Sequence, residues 1–155
     1  MKRKGVIALA VVFILLASAV MLSLTPKAKV VFIPYYTVDV RRYSFNVTHS
    51  TYYDVSFHLD SGCQVNFSFT VSWFLNVLLL DSENFESYRN GEPYPSILTI
   101  EATNTSMVYE GSYKAAKTDT YHLVFENSVL PIEEDSEVNL TVNRTVSSLL
   151  PITYY

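Results

Sequence analysis

Apolar and polar residues alternate over much of the chain. Tyr53, Val55, Phe57 and Leu59 interleave with Tyr52, Asp54, Ser56 and His58, and Val65, Phe67, Phe69, Val71 and Trp73 interleave with Asn66, Ser68, Thr70 and Ser72. A period of two puts one set on a buried face and the other in solvent, which predicts half-buried strands. Phe45-Val47, Tyr121-Leu123-Phe125 and Val138-Leu140-Val142 repeat the pattern, whereas Leu75 to Leu80 is apolar on both phases and predicts a central strand. Turn signals fall at Asp60-Ser61-Gly62, Asn90-Gly91-Glu92-Pro93, Glu110-Gly111 and Asn127-Ser128, the last followed by Pro131. Residues 81–89 predict one short helix, with Asp81 or Ser82 as its cap and Phe85 at helical spacing from Tyr88 or Arg89. Roughly eight strands at intervals of about 8 to 12 residues predict an all-β, antiparallel two-sheet sandwich of jelly-roll or immunoglobulin-like type.

The N-terminus breaks this pattern. Met1-Lys2-Arg3-Lys4 precedes Gly5 to Leu24, twenty residues without a charge. At about 1.5 Å per residue such a helix is roughly 30 Å long, the thickness of a bilayer's hydrocarbon core. Three basic residues before it, against Lys27 and Lys29 after it, predict a cytoplasmic N-terminus and an exported remainder. The expected organisation is a cytoplasmic tip (1–4), a transmembrane signal anchor (5–24), a juxtamembrane linker (25–34), an extracytoplasmic sandwich (35–150) and a C-terminal tail (151–155). Two alternatives stay open. Ala17-Ser18-Ala19 has the A-x-A form of a signal-peptide cleavage site, which would release a secreted domain, although the apolar run continues through Val20 to Leu24. Arg3-Lys4-Gly5-Val6-Ile7 resembles the processing site of archaeal type IV pilin-like precursors, which implies a filament subunit cut after Gly5, although Pro26 closes the helix early. No cysteine borders the run, so a bacterial-style lipoprotein anchor is excluded.

Composition sharpens this division. The 155 residues suffice for one folded domain, and only 17% of them are charged. Beyond residue 24 there are eight basic and fifteen acidic side chains, so the net charge of −4 for the whole chain conceals −7 on the exported part. A surface of that sign does not seek phosphates, and nucleic acid is excluded as a partner. Of twelve Tyr, nine Phe and one Trp, only Phe13 lies before residue 25. Cys63 is the sole cysteine, so the domain has no internal disulfide; the thiol is either free or used between molecules.

N-x-[ST] sequons occur at Asn46, Asn66, Asn104, Asn139 and Asn143. A glycan must sit in solvent, and all but Asn104 fall on the polar phase of an expected strand. The alternative is that polar strand faces are simply rich in Asn, Ser and Thr. Tyr52, Tyr88, Tyr94, Tyr109 and Tyr113 are expected outward as a contact surface for a protein partner or a second copy, while Tyr35 and Tyr36, close to the span, suit a membrane interface.

Asp60 to Val71, then Asp81-Ser82-Glu83-Asn84-Phe85, then Thr118 to Ser128 with its Tyr121-x-Leu123-x-Phe125-x-Asn127-Ser128 strand end, resembles the strand order of GOLD-like lumenal or extracellular β-sandwiches, and most of all small membrane-anchored archaeal surface proteins of that sort. Asp119 departs from the pattern, which has a glycine there. The resemblance implies a binding or assembly module and no catalytic residues.

The residues themselves signal no enzyme, cofactor or metal. His49, His58 and His122 lack the H-x-x-x-H or H-E-x-x-H spacing of a zinc site, and there is no G-x-S-x-G elbow and no Gly-rich phosphate loop. Glu133-Glu134-Asp135-Ser136-Glu137 lacks the ligand spacing of a calcium loop and reads as a solvated acidic turn.

Overall fold

A computed structural model describes residues 29–103, 105–127 and 134–154. The expected tip and span, Asn104 and Glu133 lie outside the described residues. The chain divides into two compact units, Pro34–Ser148 and a second made of Met1–Ile33 with Leu149–Tyr155.

In chain order the elements are β1 (Lys29–Val47), β2 (Tyr52–Leu59), β3 (Gln64–Val71), β4 (Leu75–Asp81), α1 (Ser82–Arg89), β5 (Leu98–Ala102), β6 (Tyr109–Lys114), β7 (Asp119–Glu126) and β8 (Ser136–Tyr154). The strands form two four-stranded sheets, ordered β1-β8-β3-β6 and β2-β7-β4-β5. First pairs with eighth, second with seventh, third with sixth and fourth with fifth. A long hairpin rolled onto itself gives that order, so of the two expected sandwich types this one is the jelly roll.

The period of two explains the core. Val65, Phe67, Phe69 and Val71 of β3 and Val138, Leu140 and Val142 of β8 meet Val55, Phe57 and Leu59 of β2, Leu75, Val77 and Leu79 of β4, and Tyr121, Leu123 and Phe125 of β7, all buried in one cluster. At its centre Phe69 stacks on Tyr109 and meets Phe125 edge-on, both at 5.3 Å between ring centroids. The other phase of β4 is apolar for a separate reason. Leu78 and Leu80, with Val124, face away from the sandwich interior into a second buried cluster with Phe85 of α1, and Tyr88 and Tyr94 pack against it.

The helix starts where the sequence signals it. Asp81 accepts from the Asn84 backbone N–H at 3.0 Å and from Asn84 Nδ2 at 2.8 Å, satisfying a donor the first turn leaves free. It ends at Asn90, with Gly91 beyond it in the left-handed region at φ 70°.

Two expectations are corrected. Glu110-Gly111 is not a turn but the middle of β6, with Gly111 directly opposite Phe67. The Phe67 ring lies across this glycine: a Cβ there would come within 2.5 Å of Cε2, 3.0 Å of Cε1, and closer still to Cζ. Glycine is needed here for close approach rather than for a bend. Secondly, residues 29–34 of the expected linker and 151–154 of the expected tail are strand. Of the two states left open for Cys63, the fold favours the free thiol. Backbone bonds from Cys63 N–H to the Asp60 carbonyl and from Ala115 N–H to the Cys63 carbonyl, each 2.9 Å, fold the turn over it and leave 3% of the residue accessible. The folded domain therefore offers no thiol for a bridge between molecules.

Candidate functional site

The outward face of the β1-β8-β3-β6 sheet is polar and carries four of the five sequons. Asn46, Asn66 and Asn139 are exposed and Asn143 is half-buried. Asn66 of β3 stands opposite Asn143 of β8 on one side and Ser112 of β6 on the other, and Asn139 is opposite Thr70. Gln64 Nε2 donates to Asn66 Oδ1 at 2.9 Å and bonds Ser112 Oγ at 3.0 Å. Because the side chains here are short, the face holds a shallow depression of about 380 Å³, rimmed by Asn66, Ser68, Glu110, Ser112 and Asn143. Hydroxyls, amides and one carboxylate make it a hydrogen-bonding surface without a cation.

On the opposite sheet three of the five expected tyrosines come together. Tyr88 meets Tyr52 edge-on at 5.2 Å and Tyr94 edge-on at 5.3 Å. Its hydroxyl donates to Glu126 Oε1 at 3.3 Å, and its pKa is pushed up, first by burial and then by that carboxylate's charge. Beside this group Phe85 stacks on His122 at 3.8 Å and 9°, closing one imidazole face, while His122 Nδ1 lies 3.0 Å from Asp54 Oδ2. His58 pairs instead with Asp60, at 3.7 Å, so the two strand histidines share no site. Among the described residues no three His, Cys, Asp or Glu side chains are grouped as metal ligands.

Tyr109 and Tyr113 do not join the surface. Their places in β6 face Phe69 and Val65, on the buried phase of β3, so both turn toward the core. Tyr109 stacks on Phe69, and Tyr113 lies 5.2 Å from Tyr121. The aromatic group that the fold assembles is therefore Tyr52, Tyr88 and Tyr94, beside the flank of α1.

A cluster without sequence signal locks α1 in place. Lys117, in the β6–β7 turn, lies 3.0 Å from both Asp81 Oδ2 and Asp119 Oδ2, and Ser82 Oγ donates to Asp119 Oδ1 at 2.6 Å. The Ser82 bond, aided by Lys117, holds the Asp119 carboxyl below its ordinary pKa. Burial works to raise Asp81, but bonds from Asn84 and Lys117 outweigh it, so its pKa is also lowered. Finding this triad from sequence requires knowing that Asp81 pairs with Tyr121 across β4 and β7.

Among the described residues, β1 is an edge strand of the first sheet, paired with β8 on one side. Within the larger unit it exposes Tyr36 and Val38 by 65% and 68% and Tyr35 and Val40 to a lesser degree. A long apolar edge is a template for further contact. No protein-family model matches the chain, and no curated protein matches it either.

Proposed function

We propose that this chain is a membrane-held surface protein, its N-terminus in the cytoplasm and its jelly roll outside, acting by non-covalent contact. The observation that carries the reading is the distribution of the sequons. Asn46, Asn66, Asn139 and Asn143 all lie on the outward phase of one sheet, in the same chain as an uncharged stretch of bilayer length behind a basic tip. Export is what gives such positions a use. Tyr52, Tyr88 and Tyr94 supply amphipathic rings for a protein partner, and the GOLD-like resemblance of residues 60–128 points to the same class of role. The domain does no chemistry on its partner in this reading.

Labelling intact cells with a membrane-impermeant amine reagent tests the proposal. Lys114, exposed on β6, should react before lysis, and Lys2 and Lys4 only after it. Reaction of Lys2 or Lys4 in intact cells, or protection of Lys114 until lysis, would overturn the orientation.

A further inference from the structure

The smaller unit has a surface that folding leaves uncovered. At the start of β1, Val30, Phe32 and Ile33 are exposed, Phe32 by 59%; at the end of β8, Leu149 and Leu150 are exposed by 63% and 51%. These ends belong to neighbouring strands of one sheet. No charge occurs from Val30 to Val38 or from Val146 to Tyr155. Five exposed large apolar side chains with no charge among them form no ordinary solvated surface.

The sequence says what lies next to this patch. Gly5 to Leu24 is uncharged, and only Thr25-Pro26-Lys27-Ala28 separate it from Lys29. Fully extended, four residues reach at most about 14 Å. The polar headgroup layer occupies roughly 5 to 8 Å on each side of the hydrocarbon core. A span ending at Leu24 therefore delivers Val30, Phe32 and Ile33 to the bilayer surface.

We infer that the exposed ends of β1 and β8 in this unit, Val30–Ile33 and Leu149–Leu150, rest in the headgroup and acyl boundary of the bilayer. The span supplies one attachment and this strand pair a second, made by partition of apolar side chains. The inference rests on the membrane-held reading of residues 5–24.

Full-length Leu149→Cys, carrying an environment-sensitive fluorophore, tests it after reconstitution into phosphatidylcholine vesicles containing lipid brominated on the acyl chains. Buried Cys63 stays unlabelled in the folded protein, and Ser112→Cys on the outward face of β6 serves as the control. Phe32→Cys repeats the measurement on the other strand. Bromolipid should remove about half the emission from positions 149 and 32, as expected for groups near the acyl boundary, and leave position 112 unchanged. Protein that floats with the vesicles and resists alkaline carbonate, yet shows no bromolipid quenching at 149 or 32, would overturn this inference alone. A label shielded from aqueous iodide but not quenched by bromolipid would overturn it in favour of a second copy covering the patch. Protein that fails to float removes the membrane-held reading and this inference together.

Discussion

Replacing Gly111 by alanine isolates a packing constraint that no local rule reveals. Gly111 has no positive φ, so alanine fits the backbone. Stiffening the unfolded chain in this way stabilises by about 0.4 to 1 kcal/mol where nothing clashes. Here the new Cβ would fall within 2.5 Å of Phe67 Cε2, and Phe67 is 3% exposed, leaving its ring little room to retreat. Overpacking of this kind costs about 1 to 3 kcal/mol. The clash wins, for a net loss on the order of 1 to 2 kcal/mol. Urea unfolding of the full chain in detergent, followed by Trp73 emission, should show the midpoint falling by roughly half to one molar. Phe67→Leu should recover part of this loss in the Gly111→Ala background, with a coupling of about 1 kcal/mol between the two sites. A Gly111→Ala midpoint at or above that of the parent, or strictly additive effects, would refute the close approach.

Three further outcomes follow from named contacts. Buried Asn127 donates through Nδ2 to the Val47 carbonyl at 3.0 Å and the Glu134 carbonyl at 2.8 Å; Asn127→Ala should cost about 2 to 3 kcal/mol in urea unfolding, and Asn127→Asp, which brings acceptors to acceptors, at least as much. Asp81 and Asp119 have lowered pKa values in the fold, so their stabilisation is fully present above the ordinary carboxyl value of 3.8 and is lost as pH falls through the lower folded values. Urea midpoints should therefore drop in acid below that value, less steeply in Lys117→Met, while Asp81→Ala costs about 1 kcal/mol at neutral pH through the lost helix cap. Cys63 should resist a thiol reagent until denaturant is added, and a non-reducing gel should show only monomer; fast reaction of the native protein would contradict its burial.

Alternation along the chain was enough to reveal the sandwich and the solvent phase of the sequons, because both depend on which side of a strand a residue points. It also marked β4 as central, since one side of that strand faces the interior and the other is covered by α1. What it could not supply is pairing. Among the described strands only β4 and β5 are neighbours both in sequence and in a sheet, so the choice between jelly roll and immunoglobulin-like order depends on contacts between distant strands. The same reason explains the misplaced tyrosines: Tyr109 and Tyr113 point inward because β6 registers against β3. Gly111 suggested a turn because glycine's local preference is for turns, whereas its role is set by a phenylalanine on another strand. Lys117 carried no signal at all, since its two aspartates meet only once β4 lies beside β7.

The central claim, that the jelly roll is held at the outer membrane surface by an uncleaved N-terminal helix, is tested most directly by the N-terminus of the mature protein. Mass spectrometry of the protein recovered from the carbonate-resistant membrane fraction should find a chain beginning at Met1 or Lys2. A chain beginning at Val6 would contradict it in favour of a filament subunit, and one beginning near Val20 in favour of a secreted domain.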